Sequence, residues 1–265
     1  MPSPTTSRRG ENLLDRIVAR IRKDEGPAFR AFSRAAFPLA RRPRPRSILA
    51  SFDRGFGLIA EAKKGSPSRG IIREDYDPAE LARAYQAAGA AAISVVTEKN
   101  FFFGGKTHLR WVKHAVRLPV LRKDFLIHPR QIFESYNLGA DCVLLIAACL
   151  SPRRLEHLHR LAASLGLEAL VEVHTASELD FALRIKPRLI GINNRNLGDL
   201  SVDWKTSLIL RKLIPRGIHV ISESGLRTPE QVRVLREYGF SGVLVGEHLL
   251  RQADPGRALR ELIYG

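Results

Sequence analysis

The chain has little cysteine and no long apolar run. Cys142 and Cys149 are the only cysteines in 265 residues, and they lie in an apolar segment without the spacing of metal ligands. We therefore expect reduced, buried thiols rather than a disulfide or a zinc site, in a reducing cytoplasm. The longest apolar run, residues 142–150, has about half of the ~18 residues that a membrane helix needs, so we expect no membrane span.

The sequence also lacks the features of a targeted or disordered chain. Its first ten residues, MPSPTTSRRG, contain no apolar stretch typical of a secretory signal and are too few for a transit peptide. Hydrophobic residues make up 45% of the chain and charged residues 26%. This composition argues against wholesale disorder and against collagen-like or low-complexity structure, and it indicates a soluble globular protein.

Acidic residues are scarce relative to basic ones. The chain has 43 lysines and arginines against 27 acidic residues, a net charge of +16, and half of this excess falls within residues 1–57. Such an excess is typical of proteins that bind nucleic acid, anionic membranes or anionic small molecules. The arginine-rich segment has little aromatic interleaving and no recognisable nucleic-acid module, which argues against nucleic acid as the partner.

From residue 58 onward, short β-branched runs alternate with amphipathic stretches long enough for helices. This alternation indicates a parallel sheet, and eight repeats of about 25 residues match a (β/α)8 TIM barrel. A doubly wound open sheet is the alternative. The candidate strands are LIAEA from Leu58, AISVV from Ala92, PVLRK from Pro119, CVLLI from Cys142, EALVEV from Glu168, LIGIN from Leu189, HVISE from His219 and GVLVG from Gly242.

Helix signals divide the remaining chain. A capping side chain precedes proline at Asp77, Ser151 and Thr228, and a glycine follows each of these predicted helices. Residues 13–21 have the apolar spacing of an amphipathic helix, and residues 40–47, ARRPRPRS, are typical of a loop or linker. We expect a single domain over residues 1–265, with a helical N-terminal extension at 1–57 and the barrel at 58–265.

Charged and polar side chains stand at the carboxyl ends of strands that should be apolar throughout. Because side chains at i and i+2 share a face, these charged and polar side chains should lie above an apolar floor that includes Ile59, Leu121, Leu170 and Ile221. They form a candidate site at the end where barrel enzymes carry their chemistry; alternatively, each only marks where its strand reaches solvent. These residues are Glu61, Lys63, Lys123, Glu172, Asn193, Arg195 and Glu223.

Two turns indicate a phosphate site. Ser224-Gly225 follows the seventh candidate strand and Gly246-Glu247 follows the eighth. These are the loops in which barrels frequently bind phosphate through backbone N–H groups. Either turn alone would more often only reverse the chain direction, whereas two such turns after adjacent strands favour an anion site.

These segments, in this order, resemble the indole-3-glycerol phosphate synthase family. The resemblance rests on IAEAKKGSPSRG, TEKNFFFGG, PVLRKDFLI, YNLGADCVLLI, LVEVH, GINNRNL, SESGL and VLVGE. It implies closure of 1-(o-carboxyphenylamino)-1-deoxyribulose 5-phosphate to indole-3-glycerol phosphate, with loss of carbon dioxide and water and with no cofactor or metal. It also implies that the N-terminal helix and linker cover the top of the barrel.

The resemblance implies a role for each catalytic residue. Lys123 matches the general acid that activates the ketone for ring closure. Glu172 matches the acid/base of the later dehydration, and Asn193 helps to orient it and a substrate hydroxyl. Lys63 matches the lysine that meets the substrate carboxylate and can also serve the dehydration, with Glu61 beside it as electrostatic partner. Glu223 matches a further polar member of the catalytic group.

The resemblance also implies a substrate-binding set. Ser66 would lie near the substrate carboxylate, and Phe125 with one of Phe102 and Phe103 would pack on the anthranilate ring. Arg195 matches a further polar residue of the site. The expected binding residues are Arg195, Ser66, Phe102, Phe103, Phe125, Ser224, Gly225, Gly246 and Glu247.

Two positions depart from the family pattern. His248 stands where a small hydroxyl residue is usual, and Lys106 stands where serine is common. If His248 faces the phosphate, its protonation below about pH 6.5 would tighten binding; we favour a structural surface histidine instead. We expect the other histidines, including His157 and His159, to lie on the surface, and the remaining arginine excess to be solvated.

Two other functions are alternatives to this reading. An aldolase-like phosphosugar barrel enzyme would form a Schiff base on Lys123, and the basic N-terminus would make the chain a nucleic-acid-binding protein. The leading hypothesis instead expects a phosphorylated anthranilate-sugar as substrate, no nucleic-acid or membrane partner, a cytoplasmic location and a monomer or weak homodimer.

Overall fold

The computed structural model describes residues 12–265, so the first eleven residues of the expected extension lie outside it. The helices in this range are α1 (Leu13–Arg30), α2 (Leu49–Phe52), α3 (Pro78–Ala87), α4 (Lys106–Ala115), α5 (Pro129–Leu138), α6 (Pro152–Ser164), α7 (Ala176–Arg184), α8 (Lys205–Arg211), α9 (Pro229–Glu237), α10 (Glu247–Leu250) and α11 (Pro255–Tyr264). The strands are β1 (Gly57–Ala62), β2 (Gly65–Ser66), β3 (Gly70–Ile71), β4 (Ala92–Val96), β5 (Val120–Lys123), β6 (Cys142–Ile146), β7 (Glu168–Val173), β8 (Leu189–Asn193), β9 (His219–Glu223) and β10 (Gly242–Val245).

Eight parallel strands close into a barrel in the order β1-β10-β9-β8-β7-β6-β5-β4. Because β1 pairs with both β10 and β4, the sheet has no open edge. This closure confirms the predicted (β/α)8 barrel and excludes the open doubly wound sheet. The short strands β2 and β3 form a separate antiparallel hairpin after β1, an element that the sequence does not predict.

The predicted helix starts are present. Asp77 accepts hydrogen bonds from the backbone N–H groups of residues 79 and 80, and Ser151 and Thr228 each accept one from the third residue of the helix that follows. These side chains satisfy donors that have no partner inside the helix. Within residues 12–265, no helix is both long enough and apolar enough to cross a membrane. Cys142 and Cys149 are free thiols, the first buried and the second half-buried.

Side chains of the barrel strands alternate between two apolar layers. Ile59, Leu121, Leu170 and Ile221 point into the barrel and pack in one cluster. Side chains at intervening positions, such as Val143, pack against the surrounding helices in a second cluster. The inner cluster is the apolar floor expected beneath the strand ends.

The amphipathic helix α1 lies over the carboxyl ends of the strands. Its buried residues Leu14, Ile17 and Ile21 belong to the inner cluster together with Phe125, which follows β5. At its polar edge, Asn100 in the loop after β4 donates to Asp24 of α1 at 3.3 Å. The apolar face predicted for this helix is therefore the face that packs on the top of the barrel.

The linker after α1 does not cover the top, contrary to what the resemblance implies. It runs along α5 to the opposite end of the barrel. Arg42 donates to the carbonyls of Tyr136 and Ala140, both at 2.8 Å, and Arg46 donates to those of Val116 and of residue 118 at 2.8 and 2.9 Å. The carbonyl of Tyr136 lies in the last turn of α5, and the other three lie in the segments that lead into β5 and β6. The guanidinium groups supply the donors that these carbonyls need.

The helix α2 then closes the bottom of the barrel. Glu168, the first residue of β7, accepts from the backbone N–H of Ile48 at 2.6 Å and of Leu49 at 3.1 Å. Both residues, with Phe52, belong to the inner cluster. The extension therefore closes both ends of the barrel, and Arg42 and Arg46 have structural contacts, which corrects the expectation of a solvated arginine excess at these two positions.

Asp141 ties the linker to the barrel. Its fully buried carboxylate accepts from Arg42 at 3.2 Å, from the backbone N–H of Arg46 at 2.8 Å and of Val120 at 2.9 Å, and it pairs with Lys113. One carboxylate thus holds two cations and two backbone donors from three segments of the chain.

Replacing Asp141 with asparagine should strongly destabilise the fold. The Arg42 and Lys113 charges would remain without their shared anion, and removing one partner of a buried ion pair costs about 3–5 kcal/mol. Thermal unfolding followed by circular dichroism should show a midpoint roughly 10 °C lower. The matched control Glu156→Gln removes a carboxylate from an exposed pair with Arg160 and should leave the midpoint unchanged; equal midpoints for D141N and the wild-type chain would contradict the role of Asp141.

Candidate active site

A cavity of about 350 Å³ opens at the carboxyl ends of the barrel strands. Its floor includes Leu144 and Leu244 of the inner cluster. Seven of the polar residues predicted from the strand ends line it, and they come from β1, β5, β7, β8 and β9 or the residues just after them: Glu61, Lys63, Lys123, Glu172, Asn193, Arg195 and Glu223.

Lys123 is held between two carboxylates. Its Nζ lies 2.6 Å from Glu172 Oε2 and 2.5 Å from Glu223 Oε2, and the two glutamate side chains are at most 3% exposed. Burial alone would lower the pKa of Lys123, but the charges of Glu172, Glu223 and then Glu61 outweigh it and raise the pKa well above its usual range. The side chain is therefore an ammonium that can donate a proton or a hydrogen bond.

The two carboxyl groups that share this lysine differ in acidity. Burial favours the neutral form of both, but at Glu172 the charges of Lys123 and His174, together with hydrogen bonds from Lys123 and Asn193, outweigh it and hold the pKa below its usual range. At Glu223, burial and the negative charge of Glu172 outweigh Lys123 and raise the pKa. Buried Oε1 of Glu223 has no hydrogen-bond partner among the described residues. Neighbouring carboxyl groups with separated pKa values are the arrangement that acid and base chemistry requires.

A second ion pair stands beside the first. Lys63 Nζ lies 2.6 Å from Glu61 Oε1, and both side chains are largely buried. Burial would raise the pKa of Glu61, but Lys63 and then Lys123 outweigh it and lower the pKa. The site therefore presents ammonium groups from two strands over an otherwise acidic layer.

One wall of the cavity is aromatic. Phe102 and Phe125 both line it, with ring centroids 6.1 Å apart. Phe103 does not: it has a φ of 56°, is 41% exposed and packs beside Gly65 of the β2–β3 hairpin. The expectation for Phe103 is therefore corrected, because the left-handed turn at this residue directs its ring away from the site, and Phe102 is the aromatic partner of Phe125.

Ser66 also lies outside the cavity lining. It belongs to β2, where it is opposite Gly70 in the hairpin. Its hydroxyl is buried and has no hydrogen-bond partner within residues 12–265. The expected position of Ser66 near the substrate carboxylate stays a prediction.

The two predicted phosphate loops meet on the same side of the cavity. Ser224, Gly225, Gly246 and Glu247 all line it. A Cβ atom at Gly246 would lie 2.5 Å from Glu61 Oε1, so only glycine allows the loop after β10 to come this close to Glu61. Two adjacent backbone turns with small residues leave N–H groups accessible to an anion.

Several cations that the sequence does not single out surround these loops. Arg227 and Arg251 line the cavity, and Glu247 lies 3.3 Å from Arg69, 3.6 Å from Arg251 and 3.8 Å from Arg195. Glu247 therefore orients guanidinium groups beside these two loops. In a chain with this many arginines, no local pattern distinguishes these from arginines on the outer surface.

His248 and Lys106, the two residues expected to differ from the family pattern, have different surroundings. His248 is half-buried and lines the cavity, so the expectation of a surface histidine is wrong. Burial and Arg227 lower its pKa, which favours the neutral imidazole before an anion binds. Lys106 lies outside the cavity lining and instead bridges Glu25 of α1 at 3.0 Å and Glu134 of α5 at 2.9 Å.

His174 is a further correction. The expectation that the remaining histidines lie on the surface is wrong for this residue, whose side chain is only 8% exposed and lies between Glu172 and Glu178. It follows Glu172 by two residues, in the quoted LVEVH segment, but the sequence alone does not show which carboxylates surround it. Within the described part of the chain, no group of three or more histidine, cysteine or acidic side chains is arranged to hold a metal ion.

The comparisons with known proteins decide the family. The model of the indole-3-glycerol phosphate synthase family matches residues 18–262. The chain belongs to the indole-3-glycerol phosphate synthase family. The indole-3-glycerol phosphate synthase of Bordetella pertussis is 51% identical over 207 residues, covering 78% of this chain and 79% of that protein. The enzyme of the same name from Geobacillus thermodenitrificans is 50% identical over 210 residues, covering 79% and 81%.

Solved structures of other barrels share the fold of this family member. An N-acetylmannosamine-6-phosphate 2-epimerase from Clostridium perfringens matches with a TM-score of 0.61 at 18% identity, covering 79% of this chain and 93% of that one. A structure titled KGPDC from Streptococcus mutans matches with a TM-score of 0.61 at 12% identity, covering 78% and 95%. At these identities the likeness concerns the barrel alone.

Replacing Lys123 with methionine should make stability strongly pH-dependent. Without the ammonium, the pKa of Glu172 should rise above the usual 4.5, and the pKa of Glu223, which is already raised, should rise further. A carboxyl group whose pKa is raised by folding stabilises the fold below its unfolded pKa, and this contribution is lost as the pH rises. The difference in unfolding midpoint between the wild-type chain and K123M should therefore widen from pH 5 to pH 8.

Calorimetry across that range measures the difference. The exposed lysine variant Lys205→Met serves as the control and should differ from the wild-type chain by the same small amount at every pH. A difference for K123M that stays constant from pH 5 to pH 8 would show that Lys123 does not set the ionisation of the two carboxylates.

Proposed function

We propose that the chain closes 1-(o-carboxyphenylamino)-1-deoxyribulose 5-phosphate to indole-3-glycerol phosphate, with Lys123 as the acid of ring closure. The chain is by family a carboxy-lyase of tryptophan biosynthesis. The observation that carries the assignment to Lys123 is the position of its Nζ, 2.6 and 2.5 Å from two buried carboxylates at the mouth of the barrel. An ammonium in this place can donate to the ketone oxygen while the ring carbon attacks the carbonyl carbon.

The remaining steps use groups around the same lysine. Loss of the anthranilate carboxyl group as carbon dioxide leaves its electron pair to restore the aromatic ring. Glu172 then takes a proton from the closed ring system and returns it to the departing hydroxyl, which leaves as water. A carboxylate with a lowered pKa is ionised and ready to accept that proton, and Asn193 lies beside it in the cavity.

The charges of the substrate fit the two ends of the cavity. Lys63 would meet the anthranilate carboxylate, and Phe102 and Phe125 would hold the ring. The backbone turns at residues 224–225 and 246–247, with Arg195, would hold the phosphate. This arrangement places the ketone of the substrate between the two ends, beside Lys123.

The position of Lys123 does not favour the aldolase-like alternative. Schiff-base formation requires a neutral amine, and desolvated lysines with lowered pKa values perform it. Here three carboxylates raise the pKa of Lys123. Borohydride added during turnover, followed by mass spectrometry of the intact chain, tests this: the proposal expects no added mass, and a reduced substrate adduct on Lys123 would support the aldolase-like reaction.

The proposal also covers the setting of the reaction. We infer a small phosphorylated substrate in the cytoplasm, no nucleic-acid partner, and a monomer or weak homodimer. The backbone contacts of Arg42 and Arg46 support a structural use of the basic extension. RNA or DNA binding at physiological salt that is lost on deleting residues 1–46 would contradict the inference.

The reaction itself has a direct assay. The purified chain should convert the anthranilate-derived substrate to an indole product, seen as indole fluorescence, without added nucleotide or metal. Lys123→Ala should reduce kcat by at least about 10²-fold, since a positioned acid contributes about 10²–10⁴-fold, while substrate still binds. A folded wild-type chain that makes no product from authentic substrate would overturn the proposal.

The two adjacent phenylalanines offer a matched pair of variants. Phe102→Leu should raise KM by roughly threefold to tenfold, because an aromatic contact contributes about 0.5–1.5 kcal/mol beyond the area it buries. Phe103→Leu changes the same residue type outside the cavity and should leave KM within about twofold of the wild-type value. Equal effects of the two variants, measured by steady-state kinetics, would remove Phe102 from the ring-binding wall.

A further inference from the structure

His174 occupies a buried position directly behind the catalytic layer. It follows β7, which carries Glu172, and precedes Thr175, the N-cap of α7. The side chain is 8% exposed. A histidine here lies within reach of groups on β7, α7 and the neighbouring strands, and the reaction derived above assigns it no part.

Glu178 fixes the orientation of the imidazole. One carboxylate oxygen of Glu178 accepts from the backbone N–H of His174 at 2.8 Å and lies 3.2 Å from its Nδ1. A carboxylate that is ionised can only accept, so Nδ1 carries the proton of this contact. Burial would raise the pKa of Glu178, but its hydrogen bonds with His174 outweigh burial and lower it.

The other ring nitrogen faces the catalytic carboxylate. Nε2 lies 3.4 Å from Glu172 Oε1 and has no hydrogen-bond partner among the described residues. With Nδ1 protonated, an unprotonated Nε2 would direct a lone pair at an anionic oxygen. A proton on Nε2 removes this repulsion and gives Glu172 a cation on the side opposite Lys123, whose Nζ contacts Oε2.

The surrounding charges favour that protonated form. Three carboxylates act on the ring: Glu172 from β7, Glu178 from α7 and Glu223 from β9; burial would lower the pKa of His174, but these groups outweigh it and raise it. The ammonium of Lys123 lies on the far side of Glu172. Burial, with the charges of Glu172, Glu178 and Asp15, raises the pKa of the nearby Cys149 thiol, so it adds no negative charge.

We propose that His174, anchored by Glu178, is a positioning residue that holds Glu172 ionised and turned toward Lys123 for the dehydration. The proposal rests on the acid/base role assigned to Glu172 under the proposed function. Glu172 takes a proton from the closed ring system and gives it to the departing hydroxyl as water. It ends ionised as it began, and His174 keeps its own proton throughout.

Two variants separate this role from simple packing. His174→Gln retains a polar side chain without the positive charge, and Glu178→Gln retains the shape of the anchor without its charge. We expect H174Q to lower kcat by about tenfold, a part of the ~10²–10⁴-fold that a positioned acid/base group provides, with KM within about twofold. The exposed histidine of α6 provides the control variant, His157→Gln, which should match the wild-type chain.

The pH profile gives the readout that packing would not move. Loss of the imidazolium should raise the pKa of Glu172, so the ratio of wild-type to H174Q kcat should be largest at acidic pH and should narrow as the wild-type His174 loses its proton. An H174Q profile parallel to that of the wild-type chain would overturn the proposal.

Nuclear magnetic resonance titration of the histidine ring protons tests the contact without turnover. In the wild-type chain, His174, assigned with H174Q, should titrate above the usual 6.5, and its pKa should fall in E178Q. Titration at or below 6.5 in the wild-type chain would overturn the proposal. If the wild-type chain forms no product, the proposed function is wrong. If it forms product and the pH profile of H174Q is parallel to its own, only the inference about His174 is wrong.

Discussion

The ammonium of Lys123 between Glu172 and Glu223 is the interaction on which the site depends. All three groups are largely removed from water, and an isolated buried charge costs several kcal/mol. The ammonium is stabilised by both carboxyl groups, and each carboxyl group is stabilised in its ionised form by the ammonium. The three residues come from β5, β7 and β9, so the ion triad requires the closed barrel that aligns these strands.

The same strands form the layer below. Ile59, Leu121, Leu170 and Ile221 pack inside the barrel two residues before the four charged groups of β1, β5, β7 and β9. Barrel interiors are built from such layers of four side chains contributed by alternate strands. The four charged groups thus occupy the top layer of the interior, where apolar packing beneath them fixes their positions and the cavity opens above them.

Ion pairs connect helix α1 of the N-terminal extension, through α5, to the strand that carries Lys123. Lys106 bridges Glu25 of α1 and Glu134 of α5, and Glu134 contacts the fully buried Arg122 at 3.1 Å. Arg122 immediately precedes Lys123 on β5. Lys106 therefore links the helix over the top of the barrel to the strand that carries the central ammonium.

Periodicity within strands accounts for what the sequence could predict. The i, i+2 rule places Lys123 above Leu121 and Glu172 above Leu170 once the strands are assigned, and the structure brings these groups together. The route of the linker depends on arginine contacts with backbone carbonyls, which leave no pattern in the sequence. Which of Phe102 and Phe103 lines the cavity follows from the positive φ of Phe103. The surroundings of His174 depend on carboxylates from different elements.

The protonation of Lys123 is the central claim, and lysine side-chain resonances measure it most directly. In a chain labelled at the lysine side chains, with K123M to assign the signal, the pH is raised to 10.5, the usual pKa of a lysine side chain. The signal of Lys123 should remain that of an ammonium at this pH, because two carboxylates contact its Nζ. Titration of Lys123 at or below 10.5 would contradict the account, since a readily neutral amine would be a nucleophile rather than the acid of ring closure.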